Sequence, residues 1–176
     1  HGVSPGYAAR IYRHFGCEAR QVIEENPYRL ADEVFGVGFK TADKLAQELG
    51  LAPESEARLI AGIKYALGQL ADAGHTSFPL SGFLREAAAI LEVSDELLPA
   101  ACAALQQQKE IFLVEVDGET VIYLAPFFYA EQGVAKCLAE LAQYPRQLEL
   151  DLGLEQELAV LEQQQRLHLA PEQREA

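Results

Sequence analysis

Positive charge is scarce in this chain. It has 14 Lys and Arg against 27 Asp and Glu, a formal net charge of −13 over 176 residues. That balance excludes a protein that coats nucleic acid with a generally basic surface. Long apolar runs are missing as well, and none approaches the ~20 residues of a membrane span. The three cysteines, Cys17, Cys102 and Cys137, are scattered and form no Cys-x-x-Cys pair. They fit a reducing compartment, with buried thiols as their expected role. His1, His14, His75 and His168 are equally dispersed, so no metal site is expected. No signal-peptide pattern opens the sequence, and a cytoplasmic location is expected.

Hydrophobic residues make up 49%, enough to build a core for one domain or two small ones. The acid is unevenly spread. Residues 1–50 hold six Lys/Arg and seven Asp/Glu, whereas residues 51–176 hold eight and twenty. Any contact with a polyanion is therefore expected to be local and confined to the near-neutral first part. The acidic remainder reads as solvated surface or a protein-docking face.

Two stretches repeat each other. Gly2-Val3-Ser4-Pro5-Gly6-Tyr7-Ala8-Ala9-Arg10-Ile11 aligns with Gly36-Val37-Gly38-Phe39-Lys40-Thr41-Ala42-Asp43-Lys44-Leu45, 34 residues on, and the register continues to Gly16 and Gly50. Each copy reads as a glycine-marked turn, a small alanine and an amphipathic helix stopped by glycine. This is the helix-hairpin-helix signature, which grips a nucleic-acid backbone without reading its sequence. In the second copy, Gly36 and Gly38 give the turn conformational freedom and a close backbone approach. The helix that follows leaves N–H groups without intrahelical partners, and its dipole favours an anion. Phe39 contributes a backbone amide, and Thr41 lies in the first turn. Lys40 and Lys44, one helical turn apart, add charge beside a bound phosphate. Val37 is expected to point inward, and Ala42 to permit close helix packing. The first copy is degraded, with Ser4 at the second glycine and Gly6 where the other copy has Lys40. It keeps Arg10 opposite Lys44, with Arg13 following.

Other readings of the repeat fit less well. A period of 34 is also that of tetratricopeptide repeats, but only two copies exist and their large-aromatic pattern is missing. Gly-x-Gly lacks the preceding strand and third glycine of a dinucleotide fingerprint, and Gly38-Phe39-Lys40-Thr41 lacks P-loop spacing. Both hairpins acting purely as helix connectors remains an alternative. Asp43, His75 and Ser77 supply residue types for hydrolysis, but with no nucleophile context they read as surface or turn residues.

Helices are expected over 7–15, 18–25, 28–33, 40–49 and 55–73, with breaks at Asn26-Pro27 and Gly74. His75 to Pro79 reads as short and extended, followed by helices at 81–91 and 95–108. Ser94 is the expected N-cap of the latter, and Pro99 marks the alternative start of its regular part. Ile111–Val116 and Thr120–Leu124 read as strands joined by an Asp117-Gly118 hairpin turn. Helices are expected again at 127–142 and 153–166, the latter with a stripe of Leu154, Leu158 and Leu161. The fold class is mainly α: a tandem helix-hairpin-helix (1–53), a winged-helix-like module with one β-hairpin (54–126) and a helical linker (127–176). The helix near 98–108 has Lys109 as its one cation, which suits a structural or protein-docking wing better than duplex reading.

Asn26-Pro27-Tyr28-Arg29-Leu30, Gly36 to Asp43 and Gly74-His75 resemble the N-terminal region of RecD-like ATP-dependent DNA helicases, relatives of the exodeoxyribonuclease V alpha subunit. The resemblance covers nearly the whole chain. Leu169 to Ala176 resembles the segment before the Walker A loop, and Gln173 matches the glutamine that recognises adenine in that family. The resemblance implies a parent that unwinds DNA 5′ to 3′ with ATP and Mg and serves in repair. These residues contain no Walker A, Walker B or arginine finger, so no catalytic residue, cofactor or ATP hydrolysis is expected of them alone. The implied partners are DNA, single-stranded or forked, the helicase motor of the same chain, and a further protein docked on the acidic region.

Overall fold

The computed structural model describes residues 5–143 and 160–164. The protein is mainly α-helical with a small antiparallel sheet. In chain order it runs α1 (Pro5–Phe15), a 3-10 turn (Gly16–Glu18), α2 (Ala19–Glu25), α3 (Arg29–Glu33), α4 (Phe39–Glu48) and α5 (Glu56–Asp72). Then come β1 (Ser77–Pro79), α6 (Leu80–Leu91), a 3-10 turn (Asp95–Leu97), α7 (Leu98–Gln107), β2 (Ile111–Val116), β3 (Glu119–Leu124) and α8 (Ala125–Gln143). The chain divides into two compact units, residues 1–133 and 134–176.

The 34-residue register survives folding. Gly16 (φ +57°) and Gly50 (φ +80°) both turn into the left-handed region where their helices stop. After α4 the Leu51 N–H donates to the Ala46 carbonyl at 3.0 Å, which satisfies a carbonyl the helix end would otherwise leave free. Ile11 and its repeat mate Leu45 are buried in one apolar cluster with Leu30, Val34 and Val37. This cluster joins α1, α3 and α4.

A larger core begins at Tyr28, Phe39, Ala42 and Ala46. It continues through the expected face of α5 (Leu59, Ile63, Ala66, Leu67, Leu70) to Phe83, Leu91, Leu98, Leu105, Ile111 and Ile122. Gly62 lets α6 come close to α5, since a Cβ there would lie 2.4 Å from a Leu91 methyl. The sheet order is β1-β3-β2. Val116 pairs with Glu119 across the two-residue Asp117-Gly118 turn. Both turn residues have positive φ, 51° and 83°, as a type I′ turn requires.

Three local expectations are corrected. Ser94 precedes a 3-10 turn and makes no side-chain capping bond; the regular helix starts at Leu98, with Pro99 in its first turn. Only Cys102 is buried, its thiol pushed up to about 11 by desolvation, while Cys17 and Cys137 are exposed. Asp43 is neither a surface nor a turn residue but lies within α4 at 9% exposure.

In the second unit α8 continues from Val134, with Val134, Leu138 and Leu141 exposed at helical spacing. Residues 160–164 are helical, and Leu161 is exposed. Leu154, Leu158 and the flanks of the 153–166 helix lie outside the described residues. So do the turn of the first hairpin and Gln173. No helix among the described residues is long and apolar enough to cross a membrane.

Candidate nucleic-acid interface

The second hairpin is built from α3, a tight turn and α4. Asn26 stops α2, and its side-chain oxygen accepts the Tyr28 N–H at 3.0 Å, which starts α3. At the far end of α3, the Val37 N–H donates to the Val34 carbonyl at 3.0 Å, closing a β-turn around Phe35 and Gly36. Gly36 has φ +81°, the third-position conformation that favours glycine. Val34 and Val37 turn into the small apolar cluster, as expected for Val37. Phe35 between them is 95% exposed.

Gly38 differs from Gly36. Its backbone is extended (φ −94°, ψ 170°), so the turn does not need glycine there for conformational reasons. A Cβ at Gly38 would meet nothing within 4 Å. The space on the side of the missing Gly38 side chain is therefore open. Thr41 and Ala42 donate back to the Gly38 carbonyl at 3.0 and 3.2 Å. The N–H groups of Gly38, Phe39 and Lys40 find no acceptor among the described residues. Unpaired donors at a helix start, next to open space, suit an anionic oxygen.

The expected site residues are distributed around this turn. Phe39 sends its ring into the large core, stacked between Tyr28 (6.0 Å) and Tyr65 (5.0 Å), and leaves only its backbone for a ligand. Lys40 is exposed, with its ammonium 6.0 Å from the centre of the Tyr65 ring. Thr41 is half-buried, and Lys44 is exposed with no ion pair among the described residues. Arg10, from α1, reaches the second hairpin: its guanidinium donates to the Phe35 carbonyl at 3.5 Å and crosses Gly36 so closely that a Cβ there would lie 2.4 Å away. Arg13 and His14 line the same cleft of about 290 Å³ with Arg10, Val34 and Phe35. The first copy of the repeat thus brings Arg10 and Arg13 to the turn of the second.

Behind the hairpin is a buried polar knot. Asp43 accepts the Tyr28 hydroxyl at 2.8 Å, the Arg58 Nε at 2.7 Å, a second Arg58 nitrogen at 3.2 Å and the Gln47 amide at 3.1 Å. Arg58 also donates to the carbonyls of Pro53 and Leu91, both at 2.9 Å. Burial alone would raise the Asp43 pKa, but the hydrogen bonds from Arg58 and Tyr28 outweigh it and hold the carboxyl below its ordinary range. Burial and the Asp43 bond push the Tyr28 hydroxyl upward. Tyr28 comes from the Asn-Pro-Tyr-Arg-Leu segment and Asp43 from the Thr-Ala-Asp segment, so one hydrogen bond joins two stretches that are well separated in sequence. Sequence reasoning missed this role, although Asp43 falls on the inward stripe of Phe39, Ala42 and Ala46 at helical spacing. Phe35 was missed too, because nothing in the residue order says which of Val34, Phe35 and Val37 faces out.

Residues 1–77 match the family model described as the ATP-dependent RecD2 DNA helicase HHH domain. Residues 1–77 are a RecD-like helix-hairpin-helix region. A curated relative, the ATP-dependent RecD2 DNA helicase of Deinococcus radiodurans, is 32% identical over 155 residues, which cover 82% of this chain and 21% of the relative. The chain therefore spans about a fifth of that helicase's length. The matched 77 residues take in α1 to α5 of this RecD-like region, with both the hairpin and the Tyr28–Asp43–Arg58 knot.

Proposed function

We propose that this region is a non-catalytic DNA grip that holds phosphates through the second hairpin, independently of sequence. The observation that supports it best is the trio of unpaired N–H groups at Gly38, Phe39 and Lys40, next to the open space at Gly38. Arg10, Arg13, Lys40 and Lys44 add charge around that point. Contacts of this kind position the protein on the backbone and weaken with salt. The knot at Asp43 anchors the grip to the large core, so force exerted on α5 and α6 reaches the hairpin without slack. In the longer protein the grip serves a motor that unwinds DNA with ATP and Mg, with Gln173 at the adenine.

A second role fits the acidic part. The elements α5, β1, α6, α7 and the β2–β3 hairpin follow the order of a winged helix. The helix in the recognition position, α7, buries Leu98, Ala101, Cys102 and Leu105 and offers no cation along its length. This module docks protein, either the motor or a further subunit.

Fluorescence anisotropy with single-stranded and forked DNA at two salt concentrations tests the grip. Salt-sensitive binding that drops at least tenfold in a Lys40→Ala/Lys44→Ala double variant of unchanged helicity is expected, since each lost phosphate contact lowers affinity by a factor of several. Undiminished binding in the folded variant rejects the hairpin lysines as phosphate contacts.

A further inference from the structure

Phe35 has no structural task. The valines on either side are buried at 5% and 3% exposure, yet the ring between them is 95% exposed at the tip of the turn. This position forgoes the stabilisation that burying a phenylalanine ordinarily brings. Its surroundings are polar and cationic. Arg10 touches its carbonyl, and Arg13 and His14 line the cleft beside it. His14 is 3.6 Å from Glu33, and Glu33 is bonded to Arg29; Arg13 and Arg10, the latter also 5.8 Å from the centre of the Tyr7 ring, have no ion pair among the described residues. An exposed ring flanked by guanidinium groups is what an unpaired nucleobase with its phosphates requires: the π-face takes the base and the cations take the backbone. A base inside an intact duplex offers no such face.

We propose that Phe35 is a stacking platform for an unpaired base, so that the hairpin prefers single-stranded or forked DNA over duplex. This rests on the phosphate grip proposed above and adds the strand state of its ligand. While α4 holds a phosphate, the ring at the turn meets the base of a neighbouring nucleotide.

The chain has no tryptophan, so Phe35→Trp installs a single fluorophore at this point. Its emission is expected to be quenched by oligo(dT) and left unchanged by an abasic oligonucleotide of the same length. Phe35→Ala, at an exposed position that leaves the fold intact, is expected to lower affinity for oligo(dT) about tenfold, the effect of one lost base stack, with duplex affinity unchanged. If Phe35→Ala binds oligo(dT) like the parent while Lys40→Ala/Lys44→Ala does not, the platform is wrong and the phosphate grip stands. Equal quenching by the abasic strand also overturns the platform. Absence of all DNA binding by the parent chain overturns both.

Discussion

The hairpin and the body behind it are held by apolar clusters of very different size. Five buried residues (Ile11, Leu30, Val34, Val37 and Leu45) join α1, α3 and α4. The body draws on a continuous core from Tyr28 to Ile122. Helix α4 belongs to both, with Leu45 in the small cluster and Phe39, Ala42 and Ala46 in the large one. The small cluster is too thin to fix the turn alone. Its position is set where α4 is pinned to the body, by the stacked rings of Tyr28, Phe39 and Tyr65 and by Asp43. The lesson is a division of labour: the body supplies rigidity, and the turn leaves open space beside Gly38, as the proposed phosphate grip requires.

The sharpest way to break this arrangement is Asp43→Ala. It leaves Arg58 buried without its carboxylate, and loss of one partner from such a pair typically costs about 3 kcal/mol. Chemical denaturation is expected to show a fall of that size, with hydrogen exchange rising first in α3 and α4. Equal loosening of α6 and α7 would argue against the pin.

The same pair gives the stability a pH dependence. The Asp43 pKa is lowered in the folded protein, so its contribution is complete above the unfolded carboxylate value of about 3.9 and is lost as pH falls through the lower folded value. Urea midpoints measured from pH 6 down to pH 3 are expected to fall more steeply in the parent than in Asp43→Asn.

Smaller effects separate the two glycines of the turn. Gly36→Ala forces a Cβ into the left-handed region and against Arg10, and is expected to cost about 1 kcal/mol in thermal or urea unfolding. Gly38→Ala meets no neighbour, and its weaker N-capping is largely offset by the lower entropy of the unfolded chain, so stability is expected to change by less than about 0.5 kcal/mol, yet DNA binding is expected to weaken as the open amides are crowded. A stable Gly38→Ala variant with undiminished affinity would show that no ligand approaches the backbone there.

Much of this was legible in the residues. The 34-residue register placed Ile11 opposite Leu45 and Gly16 opposite Gly50, and periodicity located the face of α5. Asp117-Gly118 specified its turn because two positive φ values leave few other choices. The long-range polar chemistry was not legible. Asp43 lies on the inward stripe of its helix, but nothing in the sequence names Arg58 as its partner until α5 is laid across α4. The reach of Arg10 to the second hairpin and the outward Phe35 depend on how α1 packs against α3, which no local pattern encodes. Of the two reasons expected for a glycine at 38, conformational freedom and a close backbone approach, the extended backbone removes the first and the open space beside the missing Cβ fits the second.

The most direct measurement is an amide-resolved NMR titration of the chain with single-stranded DNA. The account predicts saturable downfield shifts of the Gly38, Phe39 and Lys40 amide protons as they take up phosphate oxygens, diminished by added salt. Binding that leaves these three amides unmoved and shifts α7 or the β2–β3 hairpin instead would contradict it.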